Sequence, residues 1–215
     1  MIDGLEEIPL KRADGDLPDE VHGWLDASEE VSQEFYGEGL GRRYYRYVPS
    51  DPVVVYRSIE ALVVGHELRG RRFCELGCGF GVASGLANLL GFQAEGIEWE
   101  EELCRRARAL RDAQGLDYLV HHDSYLPEGF EVVQGMGGKD LVVPGGPSSS
   151  HPMFEFLDPA EVDLFFVYPW PDEEEFMARL FSHMADEGAV LLIYQGEGEI
   201  SAWRDGGAGC SRDFA

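Results

Sequence analysis

Two hydrophobic periodicities alternate along the chain. Short apolar runs predict buried strands over 72–76, 93–98, 117–122, 161–167 and 188–194. Between them, apolar residues recur at three- and four-residue spacing. Val55, Ile59, Leu62, Val63 and His66 share one helical face, with Ser50 or Asp51 as its cap and Pro52 in its first turn. Residues 82–90 predict a second helix, kept thin by Ala83, Gly85 and Ala87 so that it can lie close on a sheet. A third opens on Glu100, Glu101 and Glu102 and closes through Arg105, Arg106, Arg108 and Arg111, an order that complements the helix dipole and sets up Glu–Arg pairs. A fourth starts near 171–175 and carries the stripe Phe176, Met177, Leu180, Phe181 and Met184. Strands alternating with helices in this way predict an α/β domain, its central sheet mostly parallel and flanked by helices.

The pattern fails in three places. Residues 1–50 are acidic and cluster Gly, Pro and Asp, so they read as an irregular arm with one short helix around 28–36, preceding the domain at 51–215. Residues 124–160 hold repeated glycines and the run Pro147-Ser-Ser-Ser-His-Pro152. A loop of that length inside a compact domain is a candidate substrate lid. After the last strand only about twenty glycine-rich residues remain, with Trp203 and Phe214 among them.

Candidate chemistry concentrates at the end of the first parallel strand. Phe73-Cys-Glu-Leu-Gly-Cys-Gly-Phe-Gly81 runs from apolar strand into three glycines and then a helix, and Glu98 closes the next strand seventeen residues past Gly81. Bare glycine backbone lets a ligand approach, the helix start offers unpaired N–H groups, and the acid can accept two ribose hydroxyls. A dinucleotide fingerprint beginning at Gly77 would need glycine at position 82, where the chain has Val82.

Glu75-Leu-Gly-Cys-Gly-Phe-Gly81 resembles motif I of the class I S-adenosylmethionine (SAM)-dependent methyltransferases, and Gly96-Ile-Glu-Trp99 resembles their acidic second motif. The resemblance covers residues 50–195 and implies a Rossmann-like class I methyltransferase fold with SAM as cofactor. It also implies roles: Glu75 for the methionine amino group, Gly77, Cys78, Gly79 and Gly81 for the loop, Glu98 for the ribose, and Asp123 with Ser124 beside the adenine amine. Trp99 reads either as a core filler or as an adenine-stacking wall. That superfamily adds a further helix and an antiparallel hairpin after the fifth strand. The tail here is too short for both, so the sheet is expected to lack the full C-terminal β-hairpin.

Tyr168-Pro169-Trp170-Pro171 follows the fourth parallel strand, at the edge where the methyl group would point. Amine-modifying members of the superfamily carry Asp or Asn first in such a turn. Here Tyr168, Pro169 and Trp170 instead make an aromatic substrate wall able to take a cationic group. No catalytic base is assigned; Tyr168, Asp172, Tyr125, Tyr44, Tyr45 and Tyr47 are the candidates. The segment Tyr47-Val-Pro-Ser-Asp-Pro52, with both motifs, is loosely similar to protein-lysine methyltransferases.

A formal net charge of -24, with Lys11 and Lys139 the only lysines, argues against nucleic acid as a partner and suits a small-molecule or basic protein substrate. No apolar stretch reaches a membrane span and the first residues lack a secretory layout, so the expected location is cytoplasmic. Cys74, Cys78, Cys104 and Cys210 fit neither a disulfide framework nor a metal site and are expected as reduced thiols. The leading expectation is a SAM-dependent methyltransferase. The alternatives are a non-catalytic SAM-binding module and an NAD-type oxidoreductase, the latter disfavoured by Val82.

Overall fold

The computed structural model of the chain describes residues 4–127, 130 and 157–205. Its centre is a seven-stranded sheet ordered β1-β7-β6-β5-β2-β3-β4. The strands are β1 (Leu5–Ile8), β2 (Arg72–Leu76), β3 (Gln93–Glu98), β4 (Leu119–His122), β5 (Leu164–Val167), β6 (Val190–Gly196) and β7 (Glu199–Asp205). β6, β5, β2, β3 and β4 run parallel, while β7 is antiparallel to both of its neighbours. The parallel strands are buried on both faces, which is why they read as continuous apolar runs. Leu164 and Phe166 of β5 face one core layer, and Phe165 and Val167 face the other. Five α-helices cover these faces: α1 (Asp19–Gly37), α2 (Pro52–Val64), α3 (Val82–Leu89), α4 (Glu101–Gln114) and α5 (Glu174–Met184). The first four share the layer of Phe166, and α5 supplies the other.

Local signals set several boundaries as expected. Asp51 caps α2, its Oδ1 accepting from the N–H of Val53 at 2.9 Å and of Val54 at 3.1 Å, with Pro52 at the first position. On α4, Arg105 and Arg106 both donate to the Glu102 carboxylate, at 2.6 and 2.8 Å.

Two expectations are corrected. The segment before residue 51 is not an irregular arm with a short helix: it holds the nineteen-residue helix α1 and the strand β1. Val21, Trp24, Ser28 and Phe35 are buried along α1, a helical stripe that the Gly, Pro and Asp clusters around it obscure. Trp24 locks α1 to α3 because Gly85 has no side chain; a Cβ there would overlap the indole, whose Nε1 donates to the Val82 carbonyl at 3.1 Å. The C-terminal hairpin is also present, formed by β6 and β7. Its turn needs only Glu197 and Gly198, whose φ values of +50° and +81° match the hand of a tight hairpin, so a short tail suffices. The outer edge of β7 is then filled by β1, paired from Leu5 with Asp205 to Ile8 with Ala202.

The expected lid at 124–160 lies, apart from its two ends and Phe130, outside the described residues, as does Cys210. Among the described residues, no helix is long and apolar enough to cross a membrane.

Candidate functional site

Strand order reverses between β2 and β5, so the loops leaving their carboxyl ends part and open a crevice, the usual ligand position in such sheets. The glycine loop leaves β2 on one side and Tyr168-Pro-Trp-Pro leaves β5 on the other. Gly77, Gly79 and Gly81 all adopt left-handed φ, at +79°, +54° and +71°. The need for glycine is plainest at Gly79, where a Cβ would overlap the ring of Tyr47. Above Gly77 the space is open, the nearest atom to a Cβ there being Tyr125 Cε1 at 4.0 Å.

Two buried carboxylates flank the loop. Glu98 Oε2 accepts from the Gly79 N–H and Oε1 from the Glu100 N–H, both at 2.8 Å, which fixes the acid at the end of β3 while leaving each oxygen a further lone pair. Burial pushes its pKa up, against the pull of those two N–H donors. Glu75 Oε2 accepts from the Ser84 N–H at 2.8 Å and the Ser84 hydroxyl at 2.7 Å. Burial pushes Glu75 up to about 8, the Ser84 donors opposing and the Glu98 charge adding. A ligand carrying positive charge between these acids would relieve both.

The crevice is a cavity of about 670 Å³, within the range of small-molecule sites. It brings together Glu75, Gly77, Cys78, Gly79, Glu98 and Trp99 from the cofactor set and Tyr168, Pro169 and Trp170 from the substrate set. Trp99, 42% exposed, stands at the cavity wall and is no core filler. Gly81, Asp123 and Ser124 are not brought to that wall. Gly81 is the cap of α3, while Asp123 Oδ1 accepts from the Ser124 N–H at 2.7 Å and Ser124 Oγ from the Leu126 N–H at 3.1 Å, so these polar atoms serve their own turn. His121 and His122 are engaged elsewhere, with Glu95 at 2.6 Å and the Trp99 carbonyl at 2.9 Å.

The arm closes the crevice in a way the sequence did not reveal. Tyr47 packs on Phe80 of the glycine loop at 4.4 Å between ring centroids, and Phe35 of α1 stands edge-on to both. Burial, then neighbouring negative charge, raises the Tyr47 phenol far above its ordinary value, and burial likewise raises Tyr125 and Tyr168. These phenols hold their protons at neutral pH and line the cavity wall. Asp172 is not on the cavity wall, whereas Glu173, which the sequence offered only as part of a helix start, is. Arg46 lies over Trp170 with its guanidinium carbon 5.8 Å from the ring centroid.

The strand order and the cavity at its switch point define a Rossmann-like, doubly wound α/β protein. No family model matches the chain, and no curated protein sequence matches it. Among solved structures it is similar to an RNA methyltransferase from Salinibacter ruber in complex with S-adenosyl-L-homocysteine, at 17% identity and TM-score 0.48 over 73% of this chain and 92% of that one. It is similar to a putative caffeoyl-CoA O-methyltransferase from Staphylococcus aureus, at 9% identity and TM-score 0.47 over 79% and 72%. A SAM-dependent methyltransferase from Clostridium acetobutylicum aligns at 13% identity and TM-score 0.44 over 75% of this chain, which spans little more than half (56%) of that protein.

Proposed function

We propose that the chain is a SAM-dependent methyltransferase whose acceptor enters between the arm and the turn after β5. One observation carries this reading. A glycine-rich loop, an acid fixed against it at the end of the next strand, and an aromatic wall at the carboxyl edge of β5 all line a single cavity. The residues fit the cofactor. Gly77 leaves room above its backbone, the free lone pairs of Glu98 suit a ribose diol, and Glu75 beside the loop suits an ammonium group. When bound, SAM supplies a methyl group already activated by its sulfonium.

The protein's own contribution is then alignment and exclusion of water. Tyr47, stacked on Phe80, closes the loop from the arm side, and Tyr168, held edge-on to Tyr194 at 4.8 Å, shapes the far wall. With three buried carboxyl groups on the cavity wall and the strongly acidic chain around them, a neutral or cationic acceptor is favoured over an anionic one.

Calorimetric titration tests the reading directly. S-adenosylhomocysteine should bind with a stoichiometry near one and NAD should give no heat. NAD binding without S-adenosylhomocysteine binding would overturn it. Transfer of label from SAM to components of a cell extract, compared before and after protease treatment, then separates protein from small-molecule acceptors. Cofactor binding with no transfer to any extract would instead support the non-catalytic alternative.

A further inference from the structure

Glu173 is the residue of this cavity whose state the described residues leave unexplained. It is 3% exposed, and its Oε1 is, among the described residues, the buried side-chain polar atom left without a hydrogen-bond partner. A buried carboxylate oxygen with no partner is destabilising, and such groups persist where something outside the chain completes them. Helix capping does not explain it. Glu173 occupies the cap position of α5, yet its side chain makes no capping hydrogen bond. Nor does an ion pair within the chain, because Arg46 influences Glu173 through its charge without forming a salt bridge to it among the described residues.

Its surroundings indicate what would complete it. Glu173 lies three residues past Trp170, on the wall shared by Trp170, Tyr168 and Tyr125. The face of Trp170 already receives a planar cation in the guanidinium of Arg46. Tyr125, whose phenol feels the charge of both Glu173 and Glu98, lines the same cavity.

We propose that Glu173 anchors the methyl acceptor, and that the acceptor presents a nitrogen bearing hydrogens, of the amine or guanidine class, held by the carboxylate of Glu173 at the Trp170 and Tyr168 wall. This deepens the methyltransferase reading and rests on it. An alcohol would offer one hydrogen and no compensating charge to a buried acid, and a carboxylate or phosphate acceptor would be repelled. An N–H cation supplies both the hydrogen bond and the charge; for transfer it gives one proton to the Glu173 carboxylate, and the freed nitrogen lone pair forms the N–C bond as the sulfonium–methyl bond breaks and leaves S-adenosylhomocysteine. Burial pushes the Glu173 carboxyl up and the neighbouring Glu174 adds to this, with a hydrogen bond from the Trp170 backbone and the Arg46 charge opposing, so a cationic nitrogen beside it favours the ionised form.

The test uses the full chain and Glu173→Gln, titrated with methylguanidinium, n-butylammonium and n-butanol, each with and without saturating S-adenosylhomocysteine. The wild type should bind the two nitrogen probes at least tenfold more tightly than n-butanol. E173Q should lose at least tenfold toward those probes, keep its affinity for S-adenosylhomocysteine within twofold, and melt no lower than the wild type. Equal nitrogen-probe affinity in E173Q, n-butanol bound as tightly as methylguanidinium, or a markedly lower Tm for E173Q would each overturn the proposal. A wild type that ignores S-adenosylhomocysteine yet takes methylguanidinium through Glu173 would remove the methyltransferase reading and keep the nitrogen anchor. A blocked arginine or lysine tripeptide in place of the small probes identifies the source: tighter binding points to a protein side chain, equal binding to a small molecule.

Discussion

Glu98 and Glu75 show how much a single position can carry when a loop fixes it. Glu98 joins the glycine loop to β3 through two backbone N–H donors, so its removal loosens the loop as well as the proposed ribose contact. For Glu98→Ala we expect S-adenosylhomocysteine affinity to fall about 5- to 150-fold, corresponding to the roughly 1–3 kcal/mol of charge-assisted hydrogen bonding lost. Unchanged affinity by calorimetry would take Glu98 out of the site. Glu75 makes a prediction about pH. The folded chain retains its proton up to about 8, whereas an unfolded chain releases it near 4.5, so the folded state binds more protons between these values. Its contribution is full below about 4.5 and is lost as pH rises toward 8. Urea denaturation at several pH values across that window should show stability falling with pH, and Glu75→Gln should make the fall shallower. An identical slope in both proteins would mean that Glu75 is not held protonated by the fold.

At the scale of elements, legibility followed how local the determining contacts are. Asp51 before Pro52 announces α2 because a cap and its N–H donors lie within three residues. The glycine loop was legible for the same reason: a strand, a left-handed turn and a helix start must follow one another directly. β1 was not legible. Its sequence Leu-Glu-Glu-Ile alternates weakly, and it is a strand only because β7, nearly two hundred residues away, offers an open edge. This makes Ile8, buried at that edge, informative. Ile8→Ala should lower unfolding free energy by about 2–4 kcal/mol, the cost of truncating a buried aliphatic side chain. A loss under about 0.5 kcal/mol, typical of a surface position, would mean the hairpin holds the sheet without β1. α1 was half legible: the stripe from Val21 to Phe35 is helical, but Gly23 inside it and the Gly and Pro around it argue locally for irregular chain.

For the whole molecule, a net charge of -24 sets a field that every local contact must tolerate. Self-repulsion destabilises a compact state, and added salt screens it as the Debye length shrinks from about 8 Å at physiological ionic strength to about 3 Å at 1 M. The Tm should therefore rise between low and molar KCl, measured by calorimetry. A falling Tm would mean that favourable ion pairs such as Arg69–Asp163, at 3.0 Å, outweigh the net field. Whole-chain geometry also placed residues that local spacing could not. Asp123 Oδ1 and Ser124 Oγ each accept a backbone N–H of their own turn, while Tyr125, the next residue, takes the wall.

What the sequence determined by itself was the alternation of strand and helix, the loop with its two acids, and the aromatic turn after β5. Each is written in residues close enough together to specify their own backbone. Only the tertiary structure decided that the arm supplies a sheet edge and a cover for the loop, that the hairpin is complete, and that Glu173 is a buried acid whose Oε1 lacks a hydrogen-bond partner among the described residues. Those features depend on which distant surfaces meet and exclude water, and a carboxylate's surroundings, unlike its position in the chain, exist only once the fold has formed.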